Sequence, residues 1–351
     1  MVVQLLLALL AALVAMVSVL FLANQVQNRR AARRLSLGAE LEVMVRAWSR
    51  RDADAEEIER VRSLAGSDRT TWFHTCIRLI PKLDAAGAGR MRDALRHAGL
   101  FDRLIADLSH RSADRRSDAC RLLGRLGCGE AVPAVLTRVE DRVPAVRRQA
   151  ILALCELRAI EALDRIVAFM DATGSWSDLL AVMAISRMGP AAAPRVGVLL
   201  AAAESPALLK GLLQVTGQLG HAADPELVRR LAAHPNPEVR VEAMRTLGQI
   251  PPETESVDVC LAAMDDAAWP TRALAARSLG RLGDPRAITR LERAMGDTAY
   301  WVRHHAGQAL AGLGDPGHQA LRRQLTDANP FVRDMATEML FTGGSCRQVA
   351  P

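Results

Sequence analysis

The chain has 351 residues, of which 50% are apolar but only 3% are aromatic, so its apolar content is mainly Ala, Leu and Val. This composition favours helices, and the length predicts either two globular domains or an array that grows by adding repeats. The formal net charge of +6 comes from arginine, since Lys82 and Lys210 are the only lysines. An arginine-rich and alanine-rich composition is also typical of GC-rich genomes, so this charge gives little support to nucleic-acid binding.

The first predicted element is a membrane span. No charged residue interrupts the sequence from Leu5 to Leu22, and the apolar stretch over residues 2–23 matches the hydrocarbon core of a bilayer in length. A cleaved signal peptide would have a basic start and a shorter apolar core. Residues 1–25 are therefore predicted to form a transmembrane signal-anchor helix.

The charges that follow this helix predict its orientation. Residues 26–35 are predicted to form a basic juxtamembrane linker, which carries Arg29, Arg30, Arg33 and Arg34. The positive-inside rule then places the N-terminus outside and the remainder of the chain in the cytoplasm. This pattern predicts a single-pass protein, most simply of a bacterial inner membrane.

Residues 36–111 contain amphipathic segments without a readable repeat. We predict that they form degenerate helical pairs that cap the array on the membrane side. The segments are Leu41–Trp48, Glu56–Leu64, Thr71–Leu83 and Arg90–His97.

The rest of the chain is dominated by an internal repeat with a period typical of solenoids. One apolar landmark recurs at spacings of 31 residues, with one spacing of 32, as Leu126, Leu157, Met188, Leu219, Ile250, Leu282 and Leu313. A second mark opens most units with a Val-Arg pair, often after proline, as in Pro144–Arg147, Pro237–Arg240 and Pro330–Arg333. Two marks that keep one register indicate a true repeat.

Each unit is predicted to be a helical hairpin. The apolar positions of the first part lie three to four residues apart and form one helical face. Gly283 or Gly314 is expected to end the first helix in a left-handed cap, and the Asp-Pro pair that follows each glycine is expected to turn the chain into a second helix. The apolar face of one hairpin is buried only when hairpins stack.

These units resemble HEAT repeats, especially the short repeats of phycobilisome-lyase-like proteins. The resemblance is closest over residues 268–328 and covers about two thirds of the chain. It implies an all-α fold, in which residues 112–342 form an α-solenoid of about seven stacked hairpins and a terminal half unit, wound as a right-handed superhelix. Residues 343–351 are predicted to be a flexible tail. Such arrays serve as platforms for many unrelated tasks.

The sequence offers no candidate for catalysis, cofactor binding or metal binding. HEAT-type metal hydroxylases bind iron through repeated His-Glu pairs, but none of the 8 histidines here is followed by Glu. The six cysteines show no Cys-x-x-Cys spacing and are expected to be core residues in a reducing compartment: Cys76, Cys120, Cys128, Cys155, Cys260 and Cys346. We therefore predict that the chain is not an enzyme and has no small-molecule substrate.

One candidate binding surface is a basic stripe. We expect the second helices of the units to line the concave side of the stack and to offer their arginines to an acidic partner segment or to anionic lipid. These arginines are Arg138, Arg165, Arg195, Arg229, Arg230, Arg290, Arg293, Arg322 and Arg323. Ordinary solvated helix faces are the alternative interpretation.

The middle of the array, from Ala172 to Leu213, is poor in charge. It is expected either to be more fully buried or to expose an apolar partner surface. Trp176, Trp269 and Trp301 lie at equivalent helix starts, which predicts that they pack between units.

We predict that the chain is a membrane-anchored scaffold, because this function accounts for both the anchor and the array. Its partner would be a protein of a cytoplasmic or membrane complex, such as an envelope or polysaccharide assembly. Two alternatives stay open. One is a phycobilisome-lyase-like enzyme, and the other is a nucleic-acid-binding helical-repeat protein.

Overall fold

The computed structural model describes residues 2–48, 50–174 and 179–342, and within these ranges every regular element is a helix. The predicted tail at 343–351, Cys346 and Trp176 lie outside the described residues. The chain divides into two compact units, residues 1–157 and 158–351. The predicted all-α array of helical hairpins is confirmed.

The N-terminal unit contains eight α-helices in its described residues: α1 Val2–Trp48, α2 Ala55–Ser67, α3 Arg69–Leu79, α4 Ala85–His97, α5 Leu100–Asp107, α6 Ala113–Leu126, α7 Val132–Leu136 and α8 Pro144–Glu156. Helices α6 and α8 are the first helices of two successive repeat hairpins, and they pack against each other.

The described part of the C-terminal unit contains twelve more: α9 Leu163–Thr173, α10 Leu179–Ser186, α11 Ala193–Ala202, α12 Pro206–Leu219, α13 Pro225–Leu231, α14 Pro237–Leu247, α15 Thr254–Ala263, α16 Trp269–Leu282, α17 Ile288–Ala294, α18 Tyr300–Gly312, α19 Gly314–Gln324 and α20 Pro330–Thr342. The first helices α10, α12, α14, α16, α18 and α20 pack side by side in this order.

Helix α1 runs without a break from Val2 to Trp48. Residues 26–35, which the sequence assigns to a linker, therefore lie within this helix, because no proline interrupts it and Gly38 is its only glycine. Most side chains of the predicted span from Leu5 to Leu22 lie outside the described residues. Among the residues that are described, no helix is both long and apolar enough to cross a membrane.

The C-terminal part of α1 belongs to the core of the N-terminal unit. Leu41 and Trp48 are 1% exposed and lie in a core with Phe73 and Met91. The indole N–H of Trp48 donates to Glu57 Oε2 at 3.0 Å. The amphipathic segments predicted over residues 36–111 fall largely within helices α1, α2, α3 and α4.

The landmark series marks the end of each first helix rather than its most buried position. All seven residues lie within three residues of the end of a first helix, but only Leu126, Met188 and Ile250 are buried. The residue three positions before each landmark, one helical turn earlier, is at most 4% exposed. This second series consists of Leu123, Leu154, Ile185, Thr216, Leu247, Leu279 and Leu310.

The predicted helix caps are confirmed by the backbone. Gly283 ends α16 with φ of 71°, and Gly314 follows α18 with φ of 69°, a region that glycine occupies without strain. Asp284 accepts a hydrogen bond from the backbone N–H of Arg286 at 2.8 Å, and Pro285 starts the next turn of helix.

Neighbouring first helices approach closely at small residues. A Cβ atom added to Gly280 on α16 would lie 2.8 Å from the Cα atom of Ala309 on α18. Glycine and alanine at this crossing therefore allow the two helix backbones to approach closely.

Candidate functional site: the inter-repeat loops and their aromatic row

Six arginines at equivalent positions fix the inter-repeat loops, which join a second helix to the next first helix. The Nη1 atom of each arginine donates to the carbonyl oxygen six residues earlier at 2.7–3.0 Å and to the one five residues earlier at 2.9–3.4 Å. Each arginine thus closes the loop before its own helix. They are Arg116, Arg147, Arg240, Arg272, Arg303 and Arg333.

Three of these arginines also hold the next inter-repeat loop along the chain. Arg272 Nε and Nη2 donate to the two carboxylate oxygens of Asp297 at 2.8 and 2.9 Å. This two-bond geometry fixes orientation as well as distance. The same pairs join Arg116 to Asp141 at 2.8 Å for both bonds, and Arg240 to Asp266 at 2.7 and 3.0 Å. We call this set the arginine–aspartate ladder.

The ladder changes the acidity of its aspartates. Burial is the largest single influence on the pKa of Asp297 and would raise it. The hydrogen bonds and the charge of Arg272, with the backbone N–H of Ala299, outweigh burial and hold that pKa below the ordinary value. The pKa values of Asp141 and Asp266 are lowered in the same way by their own arginines.

The sequence contains a signal for the ladder. This signal was missed when the Val-Arg pair was interpreted only as the start of a repeat unit. An aspartate lies six residues before Arg147, Arg272, Arg303 and Arg333. Where the preceding unit has no arginine to offer, the aspartate is absent too. Leu209 occupies the arginine position one unit before Arg240, and the loop residue is then His234, whose Nδ1 accepts from the N–H of Asn236 at 3.0 Å.

An exposed aromatic row lies at the starts of three consecutive first helices, α16, α18 and α20. It consists of Trp269, Tyr300, Trp301 and Phe331, which are 46%, 48%, 51% and 59% exposed. The prediction that Trp269 and Trp301 pack between units is therefore wrong. The inward side of each first turn is already taken by buried Thr271 or Val302, and neighbouring residues on a helix diverge by about 100°.

Arg303 connects two of the helix starts that carry the aromatic row, which we call its stations. Its guanidinium carbon lies 4.8 Å from the centre of the Phe331 ring and 5.8 Å from the centre of the Tyr300 ring. The ring of His304 stacks on Tyr300 with centres 5.7 Å apart. Arg303 and His304 thus connect the aromatic side chains at the starts of α18 and α20 through ring contacts.

Two grooves lie beside the inter-repeat loops of the C-terminal unit. Their volumes are about 480 and 540 Å³, and Asp265 and Asp266 belong to the walls of both. Both grooves are open to solvent and mix acidic, basic and apolar side chains. This arrangement suits an extended partner better than an enclosed small molecule.

The nine arginines of the predicted basic stripe lie on second helices or just after them, but most are bound within the chain. The bound ones are Arg138 with Asp141, Arg195 with Asp164, Arg229 with Glu226 and Glu253, Arg290 with Asp265, Arg323 with Glu292, and Arg165. Arg230, Arg293 and Arg322 are exposed and have no acidic partner in the described ranges. Helix α15 separates Arg230 from the other two and carries the acidic residues Glu255 and Asp258.

The charge-poor middle of the array exposes apolar side chains. Met183 on α10 and Val198 on α11 are 48% and 56% exposed. Of the two expectations for this stretch, the described side chains therefore favour an exposed apolar surface over complete burial.

The described side chains include no group of three or more His, Cys, Asp or Glu placed to hold a metal ion. Five cysteines are buried and unbridged, as expected of core residues. Burial raises the pKa of Cys76, Cys120 and Cys260 to about 12, which removes the thiolate needed for reactivity.

Comparison with known families agrees with the helical hairpins. Residues 101–186 and 224–311 match the family model for HEAT repeats. The chain contains HEAT repeats. Its first match begins at 101, ahead of the start at 112 that the sequence suggests, because α5 supplies a second helix that the pattern alone did not reveal. No curated protein matches the sequence.

Three solved structures resemble this chain at low sequence identity. YibA of Escherichia coli is 17% identical, with 78% of this chain and 97% of that one covered and a TM-score of 0.40. The CpcE–CpcF phycocyanin lyase complex of a Nostoc species is 18% identical, with coverages of 83% and 95% and a TM-score of 0.30. Kap121p bound to Nup53p is 12% identical, with coverages of 81% and 39% and a TM-score of 0.48. These similarities do not indicate a function for this chain.

The lowered pKa of Asp297 predicts an acid-sensitive contribution to stability. A carboxylate with a depressed pKa stabilises the folded state above the pKa of an unfolded aspartate, near ~4, and loses this contribution as the pH falls through the folded value. We expect Asp297→Asn to lower the free energy of unfolding at pH 7 by about 1–3 kcal/mol and to reduce its loss between pH 7 and pH 3. Urea unfolding at the two pH values measures both. The control is Asp334→Asn at an exposed position, and an equal pH dependence in Asp297→Asn and the native chain would contradict the ladder.

Proposed function

We propose that this HEAT-repeat chain is a non-enzymatic scaffold that binds an extended segment of a protein partner along the aromatic row. The observation that carries the proposal is the exposure of Trp269, Tyr300, Trp301 and Phe331 on three consecutive first helices. In a chain with one tyrosine and 3% aromatic residues, this concentration at the surface stands out. Tryptophan, tyrosine and arginine are the residues that most often dominate the binding energy of protein interfaces.

The rigidity of the row supports the proposal. Each station starts a helix whose preceding loop is closed by an arginine, namely Arg272, Arg303 or Arg333. Arg272 also connects the loop at Asp297 to the helix that Trp269 begins. Flat side chains that are already held in place lose little conformational freedom on binding. The row is therefore organised before a partner arrives.

The spacing of the stations indicates which kind of partner fits. Packed helices lie ~8–10 Å apart. A polyproline-type or extended segment advances ~3.1–3.4 Å per residue. Side chains three residues apart in the partner thus match successive stations, so the segment we infer carries proline or other apolar residues at every third position.

Removing the aromatic side chains tests this proposal. We expect the variant with Trp269, Tyr300, Trp301 and Phe331 all replaced by Ser to lose partners that co-purify with the native chain after crosslinking in intact cells. The side chains are exposed, so the thermal unfolding midpoint should stay close to the native value. Mass spectrometry of the co-purified proteins gives the readout.

The matched control replaces the three unpaired arginines, Arg230, Arg293 and Arg322, by Gln. It should retain the partners. Loss of the partners in this control together with their retention in the aromatic variant would overturn the proposal and assign binding to the basic stripe instead.

We further propose that the first part of α1 tethers this scaffold to a membrane. The support is the sequence from Leu5 to Leu22 and the exposure of consecutive apolar residues on α1, since Leu20, Phe21 and Leu22 are 61–62% exposed on different sides of the helix. A helix that is apolar all round is stable when lipid or protein surrounds it. A tether would place the repeats beside a membrane complex, such as an envelope assembly.

Charges placed in α1 test the tether. The native chain should remain in the membrane pellet after alkaline carbonate extraction. Met16→Arg combined with Leu20→Arg should release part of it, because an arginine costs about 2.5–3.5 kcal/mol at the centre of a span and less toward its ends. Leu35→Arg is the control, since it changes an exposed apolar residue beyond the apolar segment. Recovery of the native chain in the soluble fraction would reject the tether.

A further inference from the structure

We propose that the guanidinium group of Arg303 binds a carboxylate side chain of the partner segment. This inference rests on the proposed function, because Arg303 lies within the aromatic row. Its guanidinium carbon is 5.8 Å from the centre of the Tyr300 ring and 4.8 Å from the centre of the Phe331 ring. An Asp or Glu of the segment would bind Arg303 while apolar side chains of the same segment meet the rings.

Arg303 differs from the ladder arginines in what its Nε and Nη2 atoms bind. In the three ladder arginines, these two nitrogens hold an aspartate of the next loop. The Nη1 atom of Arg303 is held in the usual way, since it donates to the carbonyl oxygens of Asp297 and Thr298 at 2.8 and 3.0 Å. Its Nε and Nη2 have no hydrogen-bond acceptor among the described residues, and no acidic side chain in those ranges forms an ion pair with it. We call these two nitrogens the open fork.

The spacing of the sequence accounts for the open fork. The arginine and the aspartate of each ladder pair are 25 or 26 residues apart. The next loop aspartate after Arg303 is Asp327, which follows it after only 24 residues. Asp327 makes the usual bond within its own loop, where Oδ1 accepts from the backbone N–H of Asn329 at 2.8 Å, but it forms no ion pair with Arg303. The aspartate that would continue the ladder therefore leaves this arginine available.

The chain itself shows which group such a fork binds. The same two nitrogens of Arg272 donate to the two oxygens of a carboxylate at 2.8 and 2.9 Å. Two parallel N–H···O bonds match the planar shape of a carboxylate, and a guanidinium group that is already held loses little freedom on binding. Arg303 is only partly exposed, so its charge is screened less than that of an arginine on an open surface. A partner carboxylate thus meets a site that is already oriented.

The place of Arg303 in the row indicates a side-chain carboxylate rather than the C-terminus of a partner. Helix α18 carries Arg303 and packs against both α16 and α20, whose starts carry Trp269 and Phe331. A segment that meets all three stations has to continue on both sides of Arg303. We therefore infer an Asp or Glu between the apolar residue at the α18 station and the one at the α20 station.

A peptide array tests this preference on the native chain. Short peptides without a free C-terminal carboxylate carry Leu or Pro at every third position and Glu, Gln or Lys at each position between. They are probed with the full-length chain in detergent. We expect the strongest binders to carry Glu between two apolar positions. When this Glu is replaced by Gln, affinity measured in solution by fluorescence anisotropy should fall about tenfold, as expected for the loss of a charged two-bond contact.

Substitution of Arg303 assigns the preference to the open fork. Arg303→Lys keeps the positive charge but lacks the paired nitrogens, so the Glu and Gln peptides should bind this variant within about threefold of each other. A general loss of order would weaken both peptides alike and would leave their ratio unchanged. The control is Arg293→Gln, which removes an exposed and unpaired arginine of α17 and should keep the preference for Glu.

The outcomes separate this proposal from the function on which it rests. If Glu and Gln peptides bind the native chain equally, and the variant with Ser in place of the four row residues binds neither, the row is a binding surface but the open fork is not a carboxylate site. If Arg303→Lys keeps the preference for Glu, or if Arg293→Gln removes it, the carboxylate binds elsewhere and the proposal is wrong. If no peptide of the array binds, both the partner segment that we infer and its carboxylate are wrong.

Discussion

The guanidinium group of a ladder arginine is the contact on which the repeat geometry depends. In Arg272, one nitrogen binds two carbonyls of the loop before its own helix, and the other two nitrogens hold Asp297 in the next loop. Both groups are mostly shielded from water, so their attraction is little screened. A single side chain therefore sets the conformation of one loop and the position of the next. Apolar burial makes the hairpins stack, and the ladder fixes how each one sits on its neighbour.

The candidate binding surface is a consequence of this arrangement. Because inward positions of the first turn are taken by Thr271 and Val302, bulky residues beside them must point outward. The row of aromatic side chains thus lies at the same edge as the inter-repeat loops, and Arg303 both closes one of these loops and lies against the Phe331 ring. The residues that hold the inter-repeat loops also position the aromatic row. A chain with few aromatic residues can therefore still present an ordered apolar surface.

The features that could be predicted from the sequence are those that local chemistry determines, such as helix ends and helix starts. Gly283 and the Asp284-Pro285 pair define a helix end and a helix start within a few residues, so both followed from the pattern. The exposure of Trp269 depends on which neighbouring residues fill the inward positions, and periodicity alone did not reveal this. The pairing of Arg195 with Asp164, 31 residues earlier, likewise depends on how successive second helices align. The sequence alone therefore does not show which arginines of the basic stripe are paired within the chain.

The non-local tie between Arg272 and the loop at Asp297 is tested most directly by hydrogen exchange followed by mass spectrometry. In Arg272→Gln, the amides of residues 296–302 should exchange faster than in the native chain, although the substitution lies in α16 and these residues lie in the next loop and in α18. Arg281→Gln, an exposed change on the same helix, should leave them unaffected. If faster exchange in Arg272→Gln is confined to α16 and the loop before it, the ladder does not couple one hairpin to the next, and the account given for the fold and its binding edge is wrong.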